Sequence, residues 1–116
     1  MSSSPLTPIV VAFDLTTTYQ PIYQVPATAL RTGIDASTFN NYSESKVTYS
    51  VRIVQEGVGG VLNELITDNP IRSISSDLSP AIIGQSILKG GVIEAKCSAN
   101  NSVSVNVTGT VINDDI

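Results

Sequence analysis

The sequence predicts an all-β protein, a small antiparallel β-sandwich of six to eight short strands, with a jelly roll among the arrangements that fit. Three observations carry this. Several stretches alternate apolar and polar residues with a period of two, most plainly Ser102–Thr108, where every second residue is valine. Turn residues (Gly, Pro, Asn, Asp) recur at short spacing, and no helical stripe stands clear of them. The apolar fraction is 41% but the aromatic fraction only 5%, without tryptophan. The interior must therefore be aliphatic, which suits two thin sheets facing each other. At 116 residues the chain makes one domain with one modest core.

In chain order, residues 1–8, "MSSSPLTP", lack a basic region followed by an apolar run, so a secretory signal is not expected. They are expected to form a flexible arm, with residues 9–113 as the domain and 114–116 as a tail. "IVVAFDL" puts Ile9, Val11, Phe13 and Leu15 on one strand face. In the next stretch Pro21 and Pro26 bar a central strand, because proline supplies no ladder donor, and Tyr19 and Tyr23 are expected at the core edge with wet hydroxyls. Residues 28–39 read as a strand with Leu30, Ile34 and Ala36 on one face, followed by a loop, "NNYSES". "KVTYSVRIVQ" is the clearest internal strand, with Val47, Tyr49, Val51 and Ile53 inward.

Residues 61–67 fit a helical stripe or a strand, and their β-rich company favours the strand. Asp68-Asn69-Pro70 then reads as a turn. Residues 71–88 form a long irregular connection with short extended pieces. Gly90-Gly91 precedes a strand with Ile93, Ala95 and Cys97 inward, and "SANN" is the hairpin loop into the final strand. There Val103, Val105, Val107 and Val111 face one way, and Gly109 marks a bulge or a close backbone approach.

No reactive centre is legible. The chain has no histidine and a single cysteine, which removes Ser-His-Asp, Cys-His and zinc chemistry; Cys97 reads as a small core residue. No phosphate-loop or dinucleotide motif occurs, and Gly57 and Gly59-Gly60 lack the lysine and the helix such a loop needs. Glu56, Glu64 and Glu94 are the carboxylates a glycosidase pair would draw on, but the aromatic platforms of sugar sites are missing. The terminal "NDDI" makes a poor calcium cage. Three glycosylation sequons begin at Asn41, Asn100 and Asn106, as expected by chance in so Asn- and Ser-rich a chain.

Net charge is −4, and the six basic residues are scattered, so a phosphate-tracking surface for nucleic acid is not expected. The longest apolar run, Ile9–Phe13, is far short of the about 20 residues of a helical membrane span. No cofactor or metal is expected. Charged residues are only 14%, against a typical share of about 25%. Such a surface is poorly defended against association, because little charge must be desolvated to cover it.

Three stretches, "YQVPATALRTGIDASTFNN", "VTYSVRIVQEG" and "AIIGQSILKGGVIEAKCSANNSVSVNVTGTVI", together resemble small virion proteins of tailed bacteriophages. The matching residues are Val25-Pro26-Ala27, Asn40-Asn41, Leu88 to Ala95 and Asn101 to Gly109; Gly91 stands where that pattern often has aspartate. The resemblance implies a non-enzymatic β-sandwich subunit located in the virion. It would be a homo-oligomer present in many copies, held by the major capsid protein as a cement or decoration protein or by neck or tail proteins. The expected contact residues are the arm (Ser2, Ser3, Ser4, Pro5, Leu6, Thr7, Pro8), an exposed strand edge, and Asn100 and Asn101 of the last hairpin. The competing class is a carbohydrate- or receptor-binding β-sandwich, whose mark would be Tyr19, Tyr23 and Tyr42 grouped on one surface.

Overall fold

A computed structural model describes residues 6–55, 61–78 and 82–113, and of residues 61–65 the backbone alone. Among these residues there are nine strands and no helix: β1 (Leu6–Asp14), β2 (Gln20–Gln24), β3 (Ala29–Asn41), β4 (Val47–Gln55), β5 (Val61–Ile71), β6 (Ser75–Asp77), β7 (Ser86–Leu88), β8 (Val92–Cys97) and β9 (Val103–Asn113). One sheet, A, runs β1-β9-β3-β6 with β7 also on β3; the other, B, runs β2-β8-β4-β5, and every pairing is antiparallel. The pairs nest: β4 with β5, β3 with β6 and β7, β2 with β8, β1 with β9. Nesting of this kind results when one long hairpin is wound into two facing sheets.

Period-two alternation builds the core. Val47, Tyr49, Val51 and Ile53 of β4, Ile93, Ala95 and Cys97 of β8, and Val103, Val105, Val107 and Val111 of β9 are all buried, as their spacing predicts. Two aromatic residues tie the sheets together. The Phe39 ring of β3 stacks on Tyr49 of β4 with centroids 4.3 Å apart and planes 16° from parallel, a contact worth about 0.5–1.5 kcal/mol beyond its buried area. The Tyr49 hydroxyl donates to Asp77 on β6, whose Oδ2 also accepts from Asn69 Nδ2 at 2.8 Å.

Strand β3 departs from its expected phase. A register shift between Ile34 and Ala36 sends both Asp35 and Ala36 outward, so the buried positions change from Thr32 and Ile34 to Ser37, Phe39 and Asn41. Ala36 is therefore exposed, and Leu30 is an exposed residue rather than a core one. The cause lies on the neighbouring strand. Gly109 is buried opposite Ile34, and a Cβ there would run into the Gly33 carbonyl oxygen. The close approach expected at Gly109 is real, and the bulge belongs to its partner.

Three further expectations change. Leu6–Pro8, read as part of the arm, are the first residues of β1 and pair with Ile112, Val111 and Thr110. Asp68-Asn69-Pro70 does not end a strand but continues β5, with Asp68 at φ 47° and its N–H bonded to Ser50 Oγ at 2.9 Å. Asn40 and Asn41 belong to β3 rather than to a loop. Asn41, fully buried, organises the junction beyond β3: its Nδ2 lies 2.8, 3.0 and 3.1 Å from the carbonyl oxygens of Ser45, Ile71 and Arg72, and its Oδ1 accepts from the Ser43 N–H and hydroxyl. One amide thus ties the end of β3 to the end of β5 across the sandwich.

Candidate assembly surface

The two outward faces differ in character. On sheet B the register sets Pro21 and Glu94 beside Arg52, and the Arg52 Nε–Glu94 Oε1 pair closes at 2.7 Å. Tyr19 lies against this face, with the Arg52 guanidinium carbon 3.8 Å and Lys96 Nζ 4.8 Å from its ring centroid. Beside them a polar cavity of about 160 Å³ is lined by Thr17, Thr48, Ser50, Asp68, Lys96, Cys97 and Ser98.

Sheet A shows the opposite. Its registers place Pro8, Thr110 and Gly33 in one outward row, Val10, Thr108 and Ala36 in the next, then Ala12, Asn106 and Thr38. No charged side chain stands in these rows. Asp35, exposed at the bulge between the first and second rows, accepts from Thr110 Oγ1 of the first row at 3.0 Å, whereas Asp14 at the far end of β1 and Arg31 at the near end flank the rows. The result is a broad face of mostly small uncharged side chains, with Asp35 the charge that reaches it. Beyond its first row, Leu6 and Leu88 are exposed on the row of Ile112 and Arg31.

This face ends at β1, an edge strand. Leu15, just beyond it, donates its N–H to the Val103 carbonyl at 2.9 Å. In an antiparallel ladder the inward-bonding residues alternate, so β1 bonds β9 through its odd residues. The backbone groups of Pro8, Val10, Ala12 and Asp14 therefore point away from the sheet. Val10 is 79% exposed, while Ile9, Val11 and Phe13 pack against the core but are only half-covered.

The sequence-predicted contact residues are scattered over the molecule. Leu6, Thr7 and Pro8 lie on β1, with Asn113 Nδ2 donating to Thr7 Oγ1 at 2.9 Å. Ser2, Ser3, Ser4 and Pro5 lie outside the described residues, as does the 114–116 tail. Asn100 and Asn101 sit at the β8–β9 turn and have local tasks there. Asn100 Oδ1 accepts from the Thr17 N–H at 3.1 Å, and Asn101 takes φ 56° to reverse the chain. The sequence carried no signal for Val10 and Ala12 as edge residues, because edge status is a property of topology.

The three tyrosines of the binding-module reading have three separate sets of partners. Tyr19 stands on sheet B against Arg52 and Lys96, the Tyr23 hydroxyl is bonded to the buried Thr32 hydroxyl at 2.9 Å, and Tyr42 donates to Asp14 Oδ1 at 2.8 Å. That bond, followed by partial desolvation and the Asp14 charge, raises the Tyr42 pKa above the ordinary value of 10.0. Of the carboxylates considered for catalysis, Glu94 is engaged by Arg52, Glu56 lies outside the described residues, and the Glu64 side chain is likewise not described. Among the described residues no three His, Cys, Asp or Glu side chains group to hold a metal ion, and no helix is long and apolar enough to cross a membrane.

No known family model and no curated protein matches this sequence. Solved structures share the fold. A chain from the structure of infectious bursal disease virus Gx strain aligns at TM-score 0.55 and 13% identity, over 97% of this chain and 34% of that one. A chain of the T13 particle of the same virus aligns at TM-score 0.54 and 9% identity, over 96% and 32%. A chain from the acidic stable capsid structure of Helicobacter pylori bacteriophage KHP30 aligns at TM-score 0.50 and 12% identity, over 97% and 92%. This chain thus spans about a third of the bursal virus chains and nearly the whole of the phage one. At such identities the likeness is one of fold.

Proposed function

We propose that this chain is a non-enzymatic structural subunit of a bacteriophage particle, a jelly-roll building block present in many copies. Its place is on the capsid surface as a cement or decoration protein, or in the neck or tail. The observation that carries this reading is the outward face of sheet A, poor in charge across three rows, with Asp35 the charge that reaches them, and ending in an open strand edge. Covering such a face desolvates little charge beyond Asp35, and an open edge offers backbone bonds to whatever docks. Fold likeness to chains in capsid structures, one of them similar in length, supports the same reading.

Purified protein added to phage particles that lack it should co-sediment with them to saturation, and labelled protein viewed by electron microscopy should mark shell, neck or tail. Protein that stays in the supernatant at every concentration would overturn the reading.

The cavity on sheet B favours a second reading, a ligand-binding module for a small polar molecule. Thr17, Thr48, Ser50 and Ser98 line it together with Lys96 and Asp68. Saturable binding in a sugar titration, lost in Lys96→Ala, would favour this reading over the first.

A further inference from the structure

Among the described residues the two sheets have four edges, and they are unequal. On sheet B, β2 is five residues long with a register shift between Pro21 and Tyr23, and β5 carries two register shifts, the left-handed Asp68 and Pro70. On the far side of sheet A, the edge is broken into β6 and β7, three residues each. Short strands, bulges and prolines are the usual means of blunting an edge against further pairing. The remaining edge, β1, is nine residues long and in unbroken register with β9 from Leu6 to Asp14. Its only interruption is Pro8, which removes one outward donor and leaves those of Val10, Ala12 and Asp14. It carries no lysine and no inward charge.

We propose that β1 is the self-pairing edge of this protein: a second copy adds antiparallel to it about a twofold axis at Val10, joining two A sheets into one. This rests on the multi-copy reading above and names its contact. The register is set by the residues themselves. With Val10 opposite Val10, each copy's Val10 N–H donates to the other's Val10 carbonyl, and each Ala12 N–H donates to the Pro8 carbonyl across from it. Proline then contributes the acceptor it has, and its absent donor faces an alanine carbonyl that remains open to water. On the inner face, Ile9 of each copy falls opposite Val11 of the other, so side chains now half-covered close over one another. On the outer face the most exposed apolar side chain of the chain's exposed set, Val10 at 79%, finds its own copy.

Charge agrees with this register. Asp14, the sole charge on β1, lies four residues from the axis. The two carboxylates are then roughly 27 Å apart at the rise of a strand, well beyond the about 8 Å screening length at physiological salt. A register shifted towards the C-terminal end of β1 would bring them together.

The area sets the strength. A nine-residue edge is about 30 Å long and a sheet about 10 Å thick, on the order of 300 Å² of contact per copy. That is below the about 800 Å² per partner of a standard interface. The pair is therefore reversible and concentration-dependent, and is held where neighbouring copies on a particle keep the local concentration high.

The test is sedimentation of the intact protein from low to high micromolar concentration, with amide hydrogen exchange at both ends. Wild type should pass from monomer towards dimer. The Val10 and Ala12 amides should exchange freely when dilute and become protected when concentrated, while Val11, already bonded to β9, is protected throughout. Ala12→Pro deletes an outward donor without touching the β9 ladder, and Val10→Lys sets two like charges face to face on the axis. Each should weaken self-association roughly tenfold or more, the equivalent of one or two backbone bonds, and circular dichroism of each checks the fold. Thr38→Lys, on the same face but far from the edge, should pair as wild type does. A wild type that stays monomeric, or Val10 and Ala12 variants that pair normally, would overturn the inference. Particle co-sedimentation separates the two claims. A monomer that still saturates particles sinks β1 pairing alone, and a β1 dimer that ignores particles sinks the virion reading alone.

Discussion

Asn41 and its neighbour Asn40 provide an internally controlled test of how the sandwich is held shut. Both are asparagines at the end of β3, and each changes to aspartate by exchange of one NH₂ for one oxygen. Asn41 is fully buried, and its amide nitrogen faces three carbonyl oxygens, those of Ser45, Ile71 and Arg72. Asn41→Asp removes two donor protons and turns an acceptor towards three acceptors. Each lost bond is worth about 1 kcal/mol net, and each buried carbonyl left unpaired costs about 1–3 kcal/mol. Allowing for overlap between these terms and for relaxation of the 42–46 loop, the loss is about 3–5 kcal/mol. Asn40 is half-exposed and uses only its oxygen, which accepts from Ser76 Oγ at 2.9 Å. Asn40→Asp keeps that acceptor and should cost less than about 0.5 kcal/mol. Urea unfolding at neutral pH reads both variants. At roughly 4 °C per kcal/mol for a domain of this size, Asn41→Asp should also melt about 12–20 °C below wild type. Equal midpoints for the two variants would show that the buried amide does not organise this junction.

The same geometry yields other expected outcomes. Gly109→Ala should destabilise by about 1–3 kcal/mol or more, because the new methyl meets the Gly33 backbone rather than a side chain able to turn aside; a neutral result in thermal melts would refute the close approach. The buried Cys97 thiol should be silent to a thiol-reactive chromophore in the native state and react fully in denaturant; rapid native reaction would place it elsewhere. Tyr42 should ionise above the ordinary tyrosine range. Because its folded pKa is raised, the Asp14 bond stabilises the fold below pH about 10, and that contribution disappears as pH climbs through the folded value. The difference in ultraviolet titration between wild type and Tyr42→Phe isolates this group, and Asp14→Asn should bring its transition down; no movement would rule out the bond.

Much of the fold was legible because alternation is a local signal. In β4, β8 and β9 the spacing of apolar residues picks out the core-facing ones, down to Cys97, though Ser50, expected on the outer face of β4, is also buried, where the Asp68 N–H bonds to it. The phase of β3 was not legible, since its shift at Ile34 answers a glycine on another strand more than seventy residues away in sequence. Asp68-Asn69-Pro70 has turn chemistry, yet on an edge strand a missing donor costs nothing and Ser50 supplies the bond a turn would have made.

The family-like stretches became intelligible only in three dimensions. Val25 bonds Gly90 and Gly91 through both its carbonyl and its N–H, at 3.1 and 2.9 Å, so Val-Pro-Ala and the Leu-x-Gly-Gly turn meet at one corner. A Cβ at Gly91 would press on Ile87, Gln55 and Leu88 at 2.5, 2.7 and 3.0 Å, which explains why glycine rather than aspartate stands here. These are corner-forming residues rather than contact residues. The candidate surface was the least legible part. Composition announced a shortage of charge, but only strand order shows that the shortage is gathered on sheet A and reaches an open edge at β1.

The central claim is that this chain serves as a repeated part of a particle. Quantitative mass spectrometry of density-purified particles, made from the genome that carries this gene, tests it most directly. The account predicts the intact chain in the particle band, in fixed proportion to the main shell subunit across preparations. Its absence from that band, with the protein recovered from the particle-free fraction instead, would contradict the account.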